Sequence, residues 1–267
     1  MSLPHGWNMP VPETQLRILI CGTLLVERDA VEVHERRLPG PHGRRLLAYL
    51  AIARDRPVGR DEVAEAIWGE AVPDAWHESL SALASRSRAA LRPIRGIELR
   101  GEVGRYALVV PPDTFIDMER AWTALLRAEA SLRAGDPATA LVESLIARAI
   151  AERGFLAGED GAWIEGRRRA LNDTLAQATE LAAEAELRRA NFADAERIAR
   201  AAINLDPLRE SGYRLLMRAL AGAGNGAQSL RVMEECREVL RSQAGAGPSD
   251  ETERVFREAV GLRRQEH

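Results

Sequence analysis

Lysine is absent from this 267-residue chain, and all 37 basic side chains are arginine. A Walker A loop, the catalytic lysine of a kinase fold and a pyridoxal Schiff base all need a lysine amine, so these chemistries are excluded. Cysteine is nearly absent too. Cys21 and Cys236 lie far apart in apolar or helical surroundings, and no Cys-x-x-Cys occurs. His5, His34, His42, His77 and His267 show none of the spacings of a metal site. Both thiols are expected to be reduced and buried, as in a cytoplasmic protein, with no metal and no cofactor. No apolar run approaches the ~18 residues of a membrane span, and the N-terminus lacks the apolar stretch of a signal peptide. Met1-Ser-Leu reads as a leader, and residues 1–13 are set aside from the fold.

What is present suffices for two domains. Hydrophobic residues make up 46% of the chain, ample for buried cores. The net charge of −3 hides an uneven distribution: residues 1–112 hold 15 Arg and 14 acids, and residues 113–267 hold 22 Arg and 26 acids. The first part is near neutral and the second acidic, so a nucleic-acid footprint has to be local.

The spacing of apolar residues predicts strands over Gln15–Cys21 and Leu24–Glu27, with shorter candidates at Val31–Val33 and Arg36–Leu38. A first helix follows over Arg44–Ala53, with Leu46, Leu47, Leu50 and Ala53 on one face. Arg56-Pro-Val-Gly59 breaks it. A second helix over Asp61–Trp68 starts with acids at its positive end and stops at Gly69, and a third runs Glu78–Arg92. Ile97–Arg100 and Arg105–Val110 then make a hairpin around Gly101-Glu-Val-Gly104. Pro111-Pro112 is the expected boundary, because a proline pair stops a strand and spaces two units. The domains are accordingly read as 14–112 and 113–265. After the boundary no strand is expected, only helices: Asp117–Ala134, Pro137–Glu152, Trp163–Ala190, Ala193–Leu205, Leu208–Ala221, Ala227–Ser242 and Ser249–Leu262. Asn191-Phe-Ala-Asp-Ala195 is echoed by Asn225-Gly-Ala-Gln-Ser229 at a spacing of 34, the tetratricopeptide period. Such helix pairs stack on a shared core and leave a groove for a partner.

A helix followed by a hairpin wing is a common way to seat a helix in a DNA groove. From Ser79 to Ile97 there is no acid, while Arg86, Arg88, Arg92 and Arg95 add positive charge that attracts phosphate. On the third helix Leu80, Leu83 or Ala84, Ser87 and Leu91 share an inward side. Ser81, Ser85, Arg88 and Arg92 share the opposite side, where Arg reads guanine or clamps phosphate and Ser does either more weakly. Arg86 lies to one side, aimed at a backbone phosphate. Arg100 and Arg105 flank the wing turn, and Arg44 and Arg45 at the start of the first helix are further candidates for phosphate. A solvated basic face on an ordinary amphipathic helix is the bland alternative.

Ala66-Ile-Trp-Gly-Glu70, Ser85-Arg-Ser-Arg-Ala-Ala-Leu91 and Gly104-Arg-Tyr106 resemble the AfsR/DnrI/RedD family, the Streptomyces antibiotic regulatory proteins, whose members carry ALWGE, SRLRRAL and GGGYRL at corresponding places. Asp117, Gly135-Asp-Pro-Ala138, Trp163, Asp206-Pro-Leu-Arg-Glu210 and Gly247-Pro-Ser-Asp-Glu-Thr252 are similar to the family's bacterial transcriptional activator domain. The resemblance covers residues 15 to 262. It implies a mixed fold: an N-terminal α+β winged helix-turn-helix of OmpR type, then an all-α tetratricopeptide-like domain. It also implies a transcriptional activator that binds double-stranded DNA at promoter repeats, as dimers or tandem protomers, and recruits RNA polymerase. The chain departs from the family pattern at Ser87, usually Leu, at Ala89, often basic, at Leu83, where a polar or aromatic residue is frequent, and at the acid Glu102 in the wing turn.

Other readings are weaker. Glu159-Asp160 and Glu234-Glu235 are adjacent acids expected on solvated surface or in loops, and adjacent helix positions do not face one another. Gly222-Ala-Gly-Asn-Gly226 joins two helices rather than following a strand, so it reads as a turn and not a phosphate loop. Trp68, Trp76, Trp122 and Trp163 read as core anchors. No nucleophile–base pair is present, and the protein is read as a non-enzyme. The rival reading, from a different class, is a protein-interaction scaffold whose degenerate winged helix does not bind DNA by itself; small-molecule sensing between the helices is a third.

Overall fold

The computed structural model describes residues 15–261. Residues 1–14 and 262–267 lie outside the described residues, and with them His5, His267, the set-aside leader and the last position of the helix expected to reach Leu262. The chain divides into two compact units. The first comprises positions up to Glu119 together with Phe155–Arg167, and the second comprises Arg120–Gly154 and positions from Arg168 onward. The first unit thus takes in residues beyond Pro111-Pro112.

In the first unit, β1 (Arg17–Leu19), β2 (Leu25–Arg28) and β3 (Val31–His34) form an antiparallel meander. Leu16, Ile18 and Ile20 are buried while Gln15 and Arg17 are exposed, the period-two alternation of a half-buried strand. Asp29 and Ala30 turn the second hairpin with φ of 52° and 62°, positive at both positions as the twist of a two-residue turn requires. The segment Arg36–Leu38 is not a strand: Glu35–Arg37 form a 3-10 turn. The sheet gains instead β7 (Phe115–Ile116), parallel to β1, in the order β3-β2-β1-β7. No strand was expected there, and two residues are too few to show a period. Asp117 completes this corner. It is 1% exposed, and its carboxylate accepts from the backbone N–H of Ile20 (2.9 Å), Cys21 (3.1 Å) and Met118 (2.9 Å).

Between these strands lie α1 (Gly40–Ile52), α2 (Arg60–Trp68) and α3 (Trp76–Leu91). α1 begins earlier than Arg44, with Pro41 in its first turn, where the missing N–H costs nothing. Leu46, Leu47, Leu50, Val63, Ile67 and Leu80 are at most 1% exposed and form the core beneath the helices. The wing is β5 (Glu98–Glu102) and β6 (Arg105–Val109), joined by Val103-Gly104. Val58–Gly59, expected only as a break, forms β4 and pairs with Tyr106 and Arg105, giving the order β4-β6-β5.

The second unit is helical. α4 (Asp117–Arg133), α5 (Pro137–Ala151), α6 (Ala162–Arg188), α7 (Phe192–Leu205), α8 (Glu210–Gly222), α9 (Ser229–Ala244) and α10 (Asp250–Ala259) follow in order, with a 3-10 turn at Gly226–Gln228. The division between units falls inside α4 and α6. Sequence-local chemistry explains the starts: Asp136 accepts from Thr139 N–H ahead of Pro137, and Ser249 accepts from Thr252 N–H ahead of an acidic first turn. Tyr213, Leu216, Met217, Met233 and Cys236 are fully buried in one core. The echo at a spacing of 34 falls on equivalent places, Asn191 before α7 and Asn225 before the turn into α9. This is a tetratricopeptide-like arrangement. Among the described residues Cys21 and Cys236 form no disulfide and are buried, and burial pushes the Cys236 thiol up to about 11. No helix among the described residues is long and apolar enough to cross a membrane.

Candidate nucleic-acid interface

The third helix presents the two faces expected of it. Leu80, Leu83, Ala84, Ser87 and Leu91 are buried, and Ser81, Ser85, Arg86, Arg88 and Arg92 are exposed. Ser87 stands among apolar neighbours, and its buried hydroxyl has no hydrogen-bond partner among the described residues. Arg86 on α3, Arg92 at its C-cap and Arg105 on the wing form no ion pair with any described residue. Their charge is open to an external anion. Arg100 differs: it pairs with Glu98 at 3.0 Å on the same strand.

Arg88 has a different occupation from the one its position suggests. Its Nε donates to the Leu99 carbonyl at 2.7 Å, tying α3 to the first strand of the wing. Its guanidinium lies across Gly101, where an added Cβ would stand 2.8 Å from Nη2 and 3.2 Å from the Tyr106 ring. A side chain there would have to displace the Arg88 guanidinium and press on the Tyr106 ring. Ser81 is held as well, donating to His77 O at 2.8 Å and accepting from Arg60 Nη2 at 2.7 Å. Arg60 also lies 5.9 Å from the Tyr106 ring centre, and its backbone N–H donates to Gly104 O at the wing turn. Arg60 therefore knits α2, α3 and the wing together. Sequence reasoning passed over it because it follows a Pro-Val-Gly break and carries no periodic signal.

Arg44 and Arg45 are withdrawn from the phosphate-contacting set. Both guanidinium groups close on the carboxylate of Glu159, Arg44 at 2.6 Å and Arg45 at 2.5 Å, and Arg45 also donates to Ile67 O at 2.8 Å. Glu159 and Asp160 lie in a loop, one of the two settings expected for them, but only Asp160 is exposed; Glu159 is 2% exposed. Trp163 donates its indole N–H to Ala66 O at 2.5 Å and meets Tyr49 and Phe155 edge-on, at 5.1 and 5.6 Å between ring centres. The segment Phe155–Arg167 is thus part of the body that carries α3. Nearby, Tyr49 is pushed up to about 12 by burial and by its hydrogen bond to Glu62.

Known proteins resemble this chain along its length. The bacterial transcriptional activator domain matches residues 116–259. The regulatory protein AfsR of Streptomyces coelicolor is 31% identical over 210 residues, which cover 78% of this chain and 21% of the relative. AfsR of Streptomyces griseus is 30% identical over 247 residues, covering 91% of this chain and 24% of the relative. The chain therefore spans less than a quarter of the length of these curated relatives. A solved structure of Mycobacterium tuberculosis EmbR, in complex with a low-affinity phosphopeptide, superposes with a TM-score of 0.82 at 22% identity, over 94% of this chain and 66% of that one. That likeness is one of fold.

Proposed function

The chain belongs to the AfsR-type family of transcriptional regulators that carry the bacterial transcriptional activator domain, and we propose that it regulates transcription by binding double-stranded DNA through α3 and the wing. The observation that carries this reading is the exposed face of α3. It runs without an acid from Ser79 onward, and Arg86 on it and Arg92 at its C-cap have no ion-pair partner among the described residues. Released counterions make such a face attractive to a duplex. In this reading Ser85 and Arg92 face the groove floor, Arg86 and Arg105 take phosphates, and Arg88, Arg60 and Ser81 fix the angle between helix and wing. The helical unit then contacts RNA polymerase, as the family resemblance implies, with two protomers on promoter repeats. The protein acts in the cytoplasm, and no reaction is assigned to it.

A scaffold reading is favoured by one feature: Glu98 and Glu102 sit on the wing, and Arg88 and Arg100 already have partners within the protein, Leu99 O and Glu98. Binding to duplexes decides between the two. Purified protein titrated with random duplex and with DNA upstream of its own gene, at several salt concentrations, is expected to prefer the upstream duplex and to weaken steeply with salt. No binding at low salt would move the function to the scaffold.

A further inference from the structure

A cleft of about 900 Å³ opens in the first unit between α1, α2 and Asp160–Trp163. Its volume lies within the range of small-molecule sites. The polar lining is one-sided. Glu62, Glu65, Glu70 and Asp160 all border it, against a single cation, Arg45. Arg45 is already committed to Glu159 and to Ile67 O, and Glu62 to Tyr49 and Arg56. Glu65, Glu70 and Asp160 remain exposed, and none pairs with a described residue. The C-terminal end of α2 adds to the same field. Its last turn holds no basic side chain to offset the negative end of the helix dipole.

The apolar lining has the matching character. Tyr49, Trp68 and Trp163 contribute aromatic walls. Trp163 is fixed in orientation by its bond to Ala66 O, and Tyr49 by its bond to Glu62. Rigid aromatic faces beside unpaired carboxylates are what recognises an ammonium or amidinium group on an apolar body. The acids do not converge on a point: no group of three His, Cys, Asp or Glu among the described residues is placed to hold a metal ion. The charge is instead spread along the cleft beside the aromatic walls, which suits a delocalised organic cation better than a metal ion.

We propose that this cleft binds a small organic cation with a flat, apolar body. The site does not depend on the DNA reading. It borders Trp68-Gly69-Glu70-Ala71, the start of the connection from α2 to α3, so an occupant would sit against the link that leads to the candidate recognition helix.

The test uses the whole chain and two isosteric probes, benzamidine and neutral benzamide, followed by ligand-observed NMR and calorimetry. Benzamidine is expected to bind saturably and about tenfold or more tighter than benzamide, the difference arising from the charge. The double substitution Glu65→Gln and Asp160→Asn, both at exposed positions, is expected to weaken benzamidine binding about fivefold or more, while the thermal midpoint stays in place. Equal binding of the two probes, no saturable binding of benzamidine, or an unchanged affinity in a folded double variant would overturn the proposal. Tighter binding of an Arg-Gly-Arg peptide than of benzamidine would also overturn it, in favour of a basic protein segment.

Discussion

Arg45 Nε lies 2.5 Å from Glu159 Oε2, joining residues 114 positions apart in the sequence. Arg44 grips the other oxygen, so one buried carboxylate holds two guanidinium groups on α1. Removing the carboxylate would strand both cations beside a core. Breaking such a pair from one side costs about 3–5 kcal/mol, and partial exposure of both arginines favours the low end. Glu159→Ala is therefore expected to lose about 3 kcal/mol in urea denaturation followed by circular dichroism. A loss under about 1 kcal/mol, the size of a surface pair, would show that the contact does not hold the segment.

Gly101 gives Arg88 its path to the wing. In Gly101→Ala the new methyl would meet Arg88 Nη2 and the buried Tyr106 ring. The guanidinium has to move off the new methyl, straining its bond to Leu99 O, and the ring has to give by a few tenths of an ångström, an overpacking cost at the low end of about 1–3 kcal/mol. Thermal melting is expected to show that loss, and duplex affinity should fall with it as the helix and wing lose their common strut. Melting and binding indistinguishable from the parent would mean that Arg88 is free to move aside.

Ser87 offers a change of the opposite sign. Its hydroxyl is fully buried without a partner among the described residues, so the folded state bears the desolvation of a polar group and gains no bond. Ser87→Ala is expected to stabilise the chain by about 1 kcal/mol in the same denaturation experiment. Destabilisation by Ala would reveal a bond to that hydroxyl.

Acid should weaken the helical unit through Glu184. Burial alone would raise this carboxyl, but hydrogen bonds from Arg218 (2.6 Å) and Arg188 (2.8 Å) outweigh it and hold it below the usual 4.5. A depressed carboxyl contributes stability that is full above its unfolded value and lost as pH falls through its folded one. Glu184→Gln is therefore expected to melt below the parent at neutral pH, with the gap closing below about pH 4.5. A gap constant down to strongly acid pH would contradict the pairing.

Much of this architecture was legible because it is local. Periodic apolar residues marked α1 to α3 and the helices of the second unit, and alternation marked β1, β2 and the wing. The acid-free run from Ser79 to Ile97 marks α3 as the basic face from sequence alone. Contacts between distant positions left no such trace. β4 and β7 have two residues each and owe their existence to partners far along the chain. Glu159 lies in a loop between glycines, where nothing in the local pattern announces burial against two arginines. Arg88 stands on the exposed face of α3, but its side chain turns to Leu99 O, and only the packing of the wing on α3 decides that. Arg60 was missed for the same reason.

The central claim is that Arg86 on α3 and Arg92 at its C-cap meet DNA phosphate and base edges, and the salt dependence of duplex binding tests it most directly. Each phosphate contact contributes a slope of about −0.9 in log K against log salt, so the folded double variant Arg86→Ala/Arg92→Ala is expected to bind more weakly, with a slope shallower by about one for the phosphate lost at Arg86 and a further loss of affinity from Arg92 at the groove floor. Parallel salt plots and equal affinity for the parent and a folded variant would contradict the assignment of α3 to the DNA.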